Sequence, residues 1–344
     1  MFFSIIIPCY NCKNTIDRLL KSILIQDLNK DDYEVICIDD HSTDGFNESS
    51  IELYKPFMNI SYHMRSDEDY KEHCPGNTRR EGLKYATGDW VGFIDCDDMF
   101  EVINNSLKRV MDELITLNNP EIKLYYSKFQ KWDSTNTICL NNNLWHPTWL
   151  HGNFYNRQFL IDNNINFKTD LIGNEDLYFE NLTLGHIFGQ KLSYYYQEEY
   201  NVYRWIENPN SFSKIINNYL IKFFKDYIYA NSEPYFICYK LYPESRDYFI
   251  NQMSATICYC YFYTQSVMYD NVTNNMNQEE VKELLLRFMK EFDLSLEDII
   301  IYIYSNMKLY KETRASMVEA SREGKDFIEF TSLKDYLISI VNME

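Results

Sequence analysis

The sequence lacks a surplus of positive charge and lacks long apolar runs. Its 51 Asp and Glu outnumber its 33 Lys and Arg, which gives a formal net charge of −18. Nucleic acids and anionic membranes attract clustered Lys and Arg. This balance therefore predicts no nucleic-acid partner and no general attraction to such membranes. A specific contact through a local basic patch is still compatible with it. The longest apolar run, residues 255–264, is too short to cross a bilayer.

The sequence also lacks the marks of secretion. Nine cysteines at irregular spacing do not form the even set of a disulfide framework. The apolar start, MFFSIIIPCYN, has no basic leader and no small-residue cleavage site, so we expect a first strand there, not a signal. Cys9 and Cys12 have CxxC spacing without a second pair at zinc spacing, which favours buried or incidental thiols. We therefore expect a cytoplasmic protein, with a peripheral position at the inner face of the membrane left open.

The composition predicts a folded chain with an aromatic-rich core. Apolar residues make up 45% of the 344 residues and aromatic residues 17%, which is too much for a disordered protein. The length fits one large domain, or one domain with an appendage.

Strand and helix patterns alternate in the first hundred residues. Residues 3–7, 34–38 and 90–94 are short apolar runs, and residues 16–24 and 77–86 have helical character. This alternation predicts an α/β fold, with a mostly parallel sheet flanked by helices. Beyond residue 213 the pattern becomes helical and predicts a C-terminal appendage.

Polar clusters follow three of the predicted strands. They comprise residues 8–11, 39–44 and 95–98. Because ligands of parallel sheets bind at the carboxyl ends of the strands, we expect the clusters to share one cleft. The last cluster contains three carboxylates, which repel one another unless a cation lies among them, so a divalent metal with bound phosphates is the expected occupant.

Four sequence blocks in this order resemble the family 2 glycosyltransferases, the inverting enzymes of the GT-A fold with a DxD motif. They are SIIIPCYN from Ser4, CIDDHSTDG from Cys37, PGNTRREGLKYATGDWVGFIDCDD from Pro75 and GNEDLYF from Gly173. The resemblance extends over residues 2–213. It implies a GT-A domain in residues 1–213, with a nucleotide-binding half in residues 1–100 and an acceptor-binding half in residues 101–213, before a helical region in residues 214–344.

The resemblance implies a hexosyltransferase-type enzyme that moves one sugar from a nucleotide-sugar donor to a hydroxyl group. The donor is expected to be a UDP-sugar, and the acceptor a glycan, glycolipid or glycoprotein. The QxxRW signature of processive relatives is missing, which favours single additions over polymer synthesis. The C-terminal helices could serve peripheral membrane binding or self-association.

The acidic cluster supplies the expected metal site. A departing nucleoside diphosphate gains negative charge, which Mn²⁺ or Mg²⁺ on carboxylate oxygens can stabilise. Asp95, Cys96 and Asp97 form the DxD motif, and the resemblance assigns Asp97 to the metal. It assigns Asp95 to the ribose or a metal-bound water, with Cys96 also beside the nucleotide, and Asp98 to the donor sugar or the metal's surroundings. The alternative is a solvated acidic turn.

Five further residues are candidates for the nucleotide. Carboxylates can accept hydrogen bonds from a nucleobase N–H and from ribose hydroxyls, and the resemblance favours Asp40 as the contact to uracil. The strand-end turn after the first strand can pack on the base. Turn and cap chemistry is the alternative for the whole set. The candidates are Pro8, Tyr10, Asn11, Asp39 and Asp40.

Three arginines complete the donor side. Arg79 and Arg80 stand where relatives commonly have Arg then Asn, and one of them is expected to face the nucleotide: we assign Arg79 to the nucleotide and Arg80 to the donor sugar. Arg204 falls where relatives have a flexible segment that closes over the diphosphate. Ordinary surface positions are the alternatives. His41 stands where relatives often have Gly.

The acceptor side needs a base. Direct displacement requires removal of the acceptor hydroxyl proton, and the resemblance assigns this to Asp176, with Glu175 as the second choice. Asp176 opens a predicted helix, whose N-terminus is expected to keep it ionised; an acidic helix cap is the alternative. Trp145, Trp149 and His151 could form an aromatic platform for the acceptor, or could pack in the core.

Two other functions stay open. A metal-dependent nucleotidyltransferase would release pyrophosphate instead of UDP, and a non-catalytic nucleotide-sugar-binding protein would show no turnover. No GxGxxG follows the first strand and no GxxxxGK[ST] occurs, which argues against dinucleotide and P-loop sites.

Overall fold

The chain forms two compact units, Met1–Asn217 and Asn218–Glu344. The computed structural model describes residues 1–66, 73–103, 105–133, 135, 137–141, 150–171, 173–208, 220–264, 276–306 and 330–342. The functional division of the first unit at residue 100 stays a prediction.

The described part of the first unit is a nine-stranded sheet with helices. Its strands are β1 (Phe3–Cys9), β2 (Tyr33–Asp39), β3 (Ile60–Met64), β4 (Trp90–Phe93), β5 (Met99–Phe100), β6 (Ile122–Trp132), β7 (Ile138–Asn141), β8 (Phe154–Asn156) and β9 (Ser193–Ile206). Its helices are α1 (Ile16–Leu24), α2 (Pro75–Leu83), α3 (Ser106–Leu117), α4 (Arg157–Asp162) and α5 (Glu175–Gly189), with 3₁₀ turns at Glu48–Ser50 and Glu52–Tyr54.

The strand order is β3-β2-β1-β4-β8-β6-β9-β5, with β7 paired to β6. The first four strands in this order are parallel, as predicted. Antiparallel pairs enter with β8, β7 and β5, whereas β6 and β9 are parallel. The predicted α/β class is confirmed, and the sheet is mixed in its second half.

The core of this unit follows from the sequence pattern. All seven residues of β1 are buried, as expected for a parallel strand covered on both faces. The apolar stripe of α1 packs into the same hydrophobic cluster. The Phe3 and Phe154 rings lie 4.7 Å apart, so aromatic residues link β1 to β8. The predicted aromatic core is confirmed.

Strand β9 is longer than the pattern predicts. The sequence indicates a strand at residues 192–196, but β9 continues to Ile206 because it pairs with β6 over almost the whole of that strand. The predicted loop at residues 144–157 includes β8, while residues 142–149 lie outside the described residues. Partner strands distant in sequence decide both differences.

The second unit is helical in its described residues, as predicted. Its helices are α6 (Leu220–Leu241), α7 (Arg246–Thr264), α8 (Met276–Phe292), α9 (residues 296–306) and α10 (Phe330–Val341), with a 3₁₀ turn at Pro243–Ser245. A capping box begins α9: Asp298 N–H donates to Ser295 Oγ at 3.1 Å, and Ser295 N–H donates to the Asp298 carboxylate at 2.8 Å. Of the helices described, none is both long enough and apolar enough to span a bilayer.

We predict that Gly82→Ala lowers the stability of the first unit. A Cβ at Gly82 in α2 would lie 2.4 Å from Cγ2 of Ile6, which is fully buried in β1 and β-branched. We expect the free energy of unfolding to fall by about 1–3 kcal/mol because the packed sheet cannot yield. Urea denaturation followed by fluorescence measures this. The control is Lys84→Ala, at the exposed residue that follows the last residue of α2. Equal stability of Gly82→Ala and wild type would contradict the prediction.

Candidate functional site

The turns after β1 and β2 are joined by hydrogen bonds. Asn11 N–H donates to Ser42 Oγ at 2.9 Å, and Asn11 Oδ1 accepts from Thr43 N–H at 2.8 Å. Lys13 N–H donates to the Asp44 carboxylate at 2.8 Å. The first two polar clusters therefore meet at one sheet edge, as the strand-end argument predicts.

The carboxylates at the end of β2, Asp39 and Asp40, are buried and partnered. Tyr62 Oη donates to Asp39 at 2.6 Å. Asp40 pairs with Arg65 Nε at 2.6 Å and lies 3.3 Å from His73 Nδ1. Arg65 and His73 are site residues that the sequence pattern did not single out. Arg65 follows directly after β3, so the rule that selected Asp39 could have selected Arg65 as well.

The position of His41 has a conformational explanation. His41 has φ of +59°, in the left-handed region that glycine enters at no steric cost. A non-glycine residue there costs about 1 kcal/mol or more. The left-handed backbone conformation at position 41 thus explains why glycine is expected there.

Tyr10 and Cys96 lie side by side. Tyr10 is 43% exposed, and its ring centroid lies 3.9 Å from that of His73. The pKa of the Cys96 thiol is raised by its contact with the Cys12 thiol and by burial, while the Tyr10 backbone lowers it in part. Pro8 pairs with Ile38 within the sheet. The DxD turn is therefore adjacent to the turn after β1.

Arg79 joins the two acidic motifs. Its Nη2 donates to Asp95 Oδ1 at 2.5 Å, and its Nη1 donates to Glu175 Oε1 at 3.0 Å. Arg79 is only 6% exposed. Burial raises the pKa of Asp95, but the charge and the hydrogen bond of Arg79 lower it by more than burial raises it. The net pKa of Asp95 therefore lies below its ordinary value. The DxD motif and the Glu175–Asp176 pair, far apart in sequence, thus surround one cation.

Asp97 lies beside Asn208 and Arg18. Asn208 Nδ2 donates to the Asp97 carboxylate at 2.8 Å, and the Arg18 guanidinium donates to the Asp97 backbone carbonyl. Burial and the Asp95 charge raise the pKa of Asp97. A divalent cation at this carboxylate would offset both effects.

Asp98 is braced by β9. Its carboxylate accepts a hydrogen bond from Tyr203 Oη at 2.5 Å and another from Ile206 N–H at 2.7 Å. It is 1% exposed, and burial with the neighbouring acids raises its pKa well above the ordinary value. Both oxygens are therefore used within the protein, which disfavours the predicted contact to the donor sugar.

His151 packs against the acidic turn. One ligand atom from each of Asp95, Asp98 and His151 lies within 4.8 Å of the other two. Its ring stacks on Trp205 at 5.4 Å, and burial lowers the pKa of His151 to about 4, so the imidazole is neutral. The structure thus associates His151 with the acidic turn. Trp145 and Trp149, its predicted partners in an acceptor platform, lie outside the described residues.

Burial opposes the effect of the helix N-terminus on the pKa of Asp176. Burial raises the pKa of Asp176 to about 7, and the Glu175 charge adds to the rise. Arg79 and the Leu177 N–H, which donates to Asp176 Oδ1 at 2.7 Å, lower it only in part. The helix N-terminus therefore does not by itself decide the ionisation of Asp176, whose role stays a prediction. A pKa near 7 suits a general base.

Two predicted arginines are placed differently from the expectation. Arg204 lies in β9, not in a flexible segment, and donates to Glu101 at 2.6 and 2.5 Å. This pairing disfavours the predicted contact to a diphosphate. Arg80 is exposed on α2, and no hydrogen bond or ion pair joins it to another residue that the structure describes. Of the neighbouring pair, Arg79 alone contacts the acidic motifs.

The acidic turn fits a hard divalent cation. Among the described residues, the ligand atoms that lie together belong to Asp95, Asp98 and the neutral imidazole of His151. Asp97, which the resemblance assigns to the metal, is not in this group. Oxygen ligands with one imidazole suit Mn²⁺, and oxygen ligands alone suit Mg²⁺. The residues present therefore agree with the predicted metal.

Residues 4–171 match the family model described as glycosyl transferase family 2. The chain carries a family 2 glycosyltransferase domain. Sequence relatives agree: the chain is 36% identical over 98 residues to a poly(ribitol-phosphate) beta-glucosyltransferase of Bacillus spizizenii, and 38% identical over 98 residues to the poly(ribitol-phosphate) beta-N-acetylglucosaminyltransferase TarS of Staphylococcus aureus. These alignments cover 28% of this chain and only 15% and 16% of the relatives.

A third relative is matched over a larger share of its length. The GalNAc(5)-diNAcBac-PP-undecaprenol beta-1,3-glucosyltransferase of Campylobacter jejuni is 33% identical over 110 residues, which is 32% of this chain and 33% of that protein. The chain thus spans a third or less of the length of these curated relatives.

Solved structures support the fold of the family 2 domain. S. aureus TarS residues 1–349 in complex with UDP-GlcNAc superpose with a TM-score of 0.58 at 17% identity, covering 99% of this chain and 88% of that one. A longer TarS structure gives a TM-score of 0.60 at 18% identity, covering 96% and 57%. The predicted GT-A fold, followed by a helical region, is confirmed.

We predict that Tyr203→Phe destabilises the family 2 domain. The change removes one of the two hydrogen bonds that the buried Asp98 accepts, which should lower the free energy of unfolding by about 1–3 kcal/mol. Chemical denaturation measures the loss. Tyr85→Phe, at a 38% exposed tyrosine, is the matched control. If both variants unfold at the same denaturant concentration, Asp98 is not braced by Tyr203.

Proposed function

We propose that this chain is an inverting glycosyltransferase of the hexosyltransferase type. It moves a single sugar from a UDP-sugar to a hydroxyl group of a carbohydrate-containing acceptor. The observation that carries the proposal is the Arg79 bridge between Asp95 and Glu175, because it gathers the acids of the DxD motif and of the Glu175–Asp176 pair around one buried cation. The names of the relatives support the reaction class, and the UDP-GlcNAc complex of TarS supports the donor class.

We assign the sheet edge at β1 and β2 to the nucleotide. The exposed Tyr10 ring offers a stacking surface for a base, and Asn11 shapes the turn beneath it. Asp39 and Asp40 provide acceptors for ribose hydroxyls and for the N3–H of uracil. Arg65 fixes the Asp40 carboxylate, so Asp40 is oriented before the ligand arrives.

The acidic turn is assigned to the diphosphate end of the donor. Asp97 would hold Mn²⁺ or Mg²⁺, with Asp95 beside it. When bound, such an ion supplies electrostatic stabilisation of the charge that develops on UDP. Asn208 orients the Asp97 carboxylate, and Arg79 orients that of Asp95.

Asp176 is assigned the proton transfer. The acceptor hydroxyl gives its proton to a carboxylate oxygen of Asp176 while its oxygen attacks the anomeric carbon. The bond between that carbon and the UDP oxygen breaks, and its electron pair leaves with UDP. A pKa of about 7 allows Asp176 to accept the proton near neutral pH and to return it to water afterwards.

The acceptor class is left broad. A glycan, glycolipid or glycoprotein hydroxyl is what the family implies, and the named relatives act on poly(ribitol-phosphate) and on an undecaprenol-linked glycan. Reaction at the cytoplasmic face of a membrane, with the C-terminal helices serving membrane contact or self-association, agrees with such acceptors. Trp145, Trp149 and His151 stay candidates for acceptor contact.

Two substitutions test the roles of the acids. Asp97→Ala should abolish Mn²⁺-dependent UDP binding, because the proposed ligand of the ion is gone. Asp176→Asn should retain UDP binding and lower the turnover of donor by about 10²–10⁴-fold, because the base cannot accept a proton. Calorimetric titration with UDP and Mn²⁺, and UDP release from a panel of UDP-sugars, measure the two effects.

The control is Asp112→Asn, at an exposed acid on α3 that pairs with Lys108. Undiminished turnover by Asp176→Asn would reassign the base. Release of pyrophosphate instead of UDP by the wild-type protein would favour a nucleotidyltransferase. Tight UDP binding without turnover of any donor would favour a non-catalytic binding protein.

The rate of UDP release should depend on pH through Asp176. The base must be ionised, and its pKa is raised to about 7, so the rate should fall about tenfold per pH unit below that value and level off above it. Initial rates at saturating donor and Mn²⁺, with UDP affinity measured at each pH, give this profile. A flat rate between about pH 5 and pH 8 would mean that no such base controls turnover.

A further inference from the structure

We propose that Arg79 is a positioning residue for this reaction. Its guanidinium fork fixes Asp95 of the DxD motif and Glu175 of the acid pair relative to each other, so that the donor and the base Asp176 meet in a productive geometry. The inference rests on the proposed function and goes beyond the nucleotide contact that the sequence suggests for Arg79.

The fork contacts two elements that the sequence keeps far apart. Arg79 lies on α2, Asp95 follows β4, and Glu175 begins α5; the two nitrogens that reach the acids are Nη2 and Nη1, one for each. The Arg79 guanidinium carbon also lies 5.9 Å from the centroid of the Phe167 ring. A planar fork between two carboxylates sets both distance and orientation, which a single ammonium does not.

The close approach of α2 to α5 depends on Gly76. A Cβ at Gly76 would lie 2.5 Å from Cγ and 2.8 Å from Cβ of Glu175. The glycine therefore gives Glu175 the space to reach Arg79 from the next helix. Gly76, which has no side chain, and Arg79, one turn later on α2, together allow the contact with Glu175.

Arg79 also carries the positive charge of this cluster. Among the described residues, Arg79 is the cation that pairs with Asp95 and Glu175, and no other Lys or Arg pairs with either. Its loss would leave the buried Glu175 carboxylate without its cation.

The positive charge of Arg79 also affects the pKa of Asp176. Glu175 and Asp95 raise its pKa, whereas Arg79 lowers it together with the Leu177 N–H. Glu180, one turn along α5, interacts with Asp176 as well. A change at Arg79 should therefore alter the pH dependence of turnover, which a loss of folded protein alone would not do.

The test compares Arg79→Gln and Arg79→Lys with wild type. The readouts are UDP release from UDP-GlcNAc and UDP-glucose with Mn²⁺ across pH, calorimetric binding of UDP with Mn²⁺, and circular dichroism to measure the folded fraction. For Arg79→Gln we expect kcat to fall about 100-fold, while UDP binding changes by only about threefold or less. The midpoint of its pH profile should move upward by about one unit, because the opposing positive charge is lost.

Arg79→Lys separates charge from geometry. It should keep the midpoint near that of wild type, because the charge is retained, but should recover little of kcat, because one ammonium cannot hold both acids in the fork arrangement. Gly76→Ala keeps Arg79 and displaces Glu175, so it should lower kcat as well. The control is Arg109→Gln. Arg109 lies in α3 and stacks on the ring of Tyr200 in β9, and this variant is expected to match wild type.

The outcomes are distinct. If the wild-type protein releases no UDP from either donor, the proposed function fails, and this inference fails with it. If the wild type is active but the Arg79 variants lose activity only in proportion to their folded fraction, with an unchanged pH midpoint, the positioning role is overturned. Full recovery of kcat by Arg79→Lys would also overturn it, since charge alone would then suffice.

Discussion

The structure depends on keeping several carboxylates together in a buried place. Removing a carboxylate from water is costly unless a cation or hydrogen-bond donors replace the water. Arg79 supplies the cation for Asp95 and Glu175, and Tyr203 with the Ile206 N–H supplies donors for Asp98. The same compensation gives the acids different properties: the pKa of Asp95 is lowered by direct contact, whereas that of Asp176, which Arg79 influences without a hydrogen bond, rises to about 7.

The placement of the site could be predicted from the sequence because it follows from sheet geometry. Parallel strands bring their carboxyl ends to one edge, so polar residues after buried apolar runs must meet there. The register of Cys9 with Asp39 and of Asp39 with Met64 realises this rule. To apply this rule one needs only the positions of the strand ends, and short apolar runs in the sequence indicate these. The rule also selects Arg65, which directly follows β3.

The parts that escaped prediction depend on partners distant in sequence. Arg204 was expected in a mobile segment, but the pairing of β9 with β6 and the ion pair with Glu101 place it in the sheet. The pKa of Asp176 is a second case, which depends on burial. A helix N-terminus contributes about 0.3–1 kcal/mol, less than one pKa unit, whereas burial can shift a carboxyl by about 3–5 units. Local sequence reveals the helix but not the depth of burial.

Helical periodicity could have decided between the two neighbouring arginines. Gly76, Arg79 and Gly82 are spaced three residues apart, so they lie on one face of α2. That face is free of side chains at both glycines, where Glu175 and Ile6 approach within contact distance of the backbone. A helix face with glycines on either side of an arginine must be the buried one, since exposed positions need no such space. Arg80 is turned by about 100° from Arg79 around the axis, and the structure has it exposed. Thr78, turned by the same angle in the other direction, is buried.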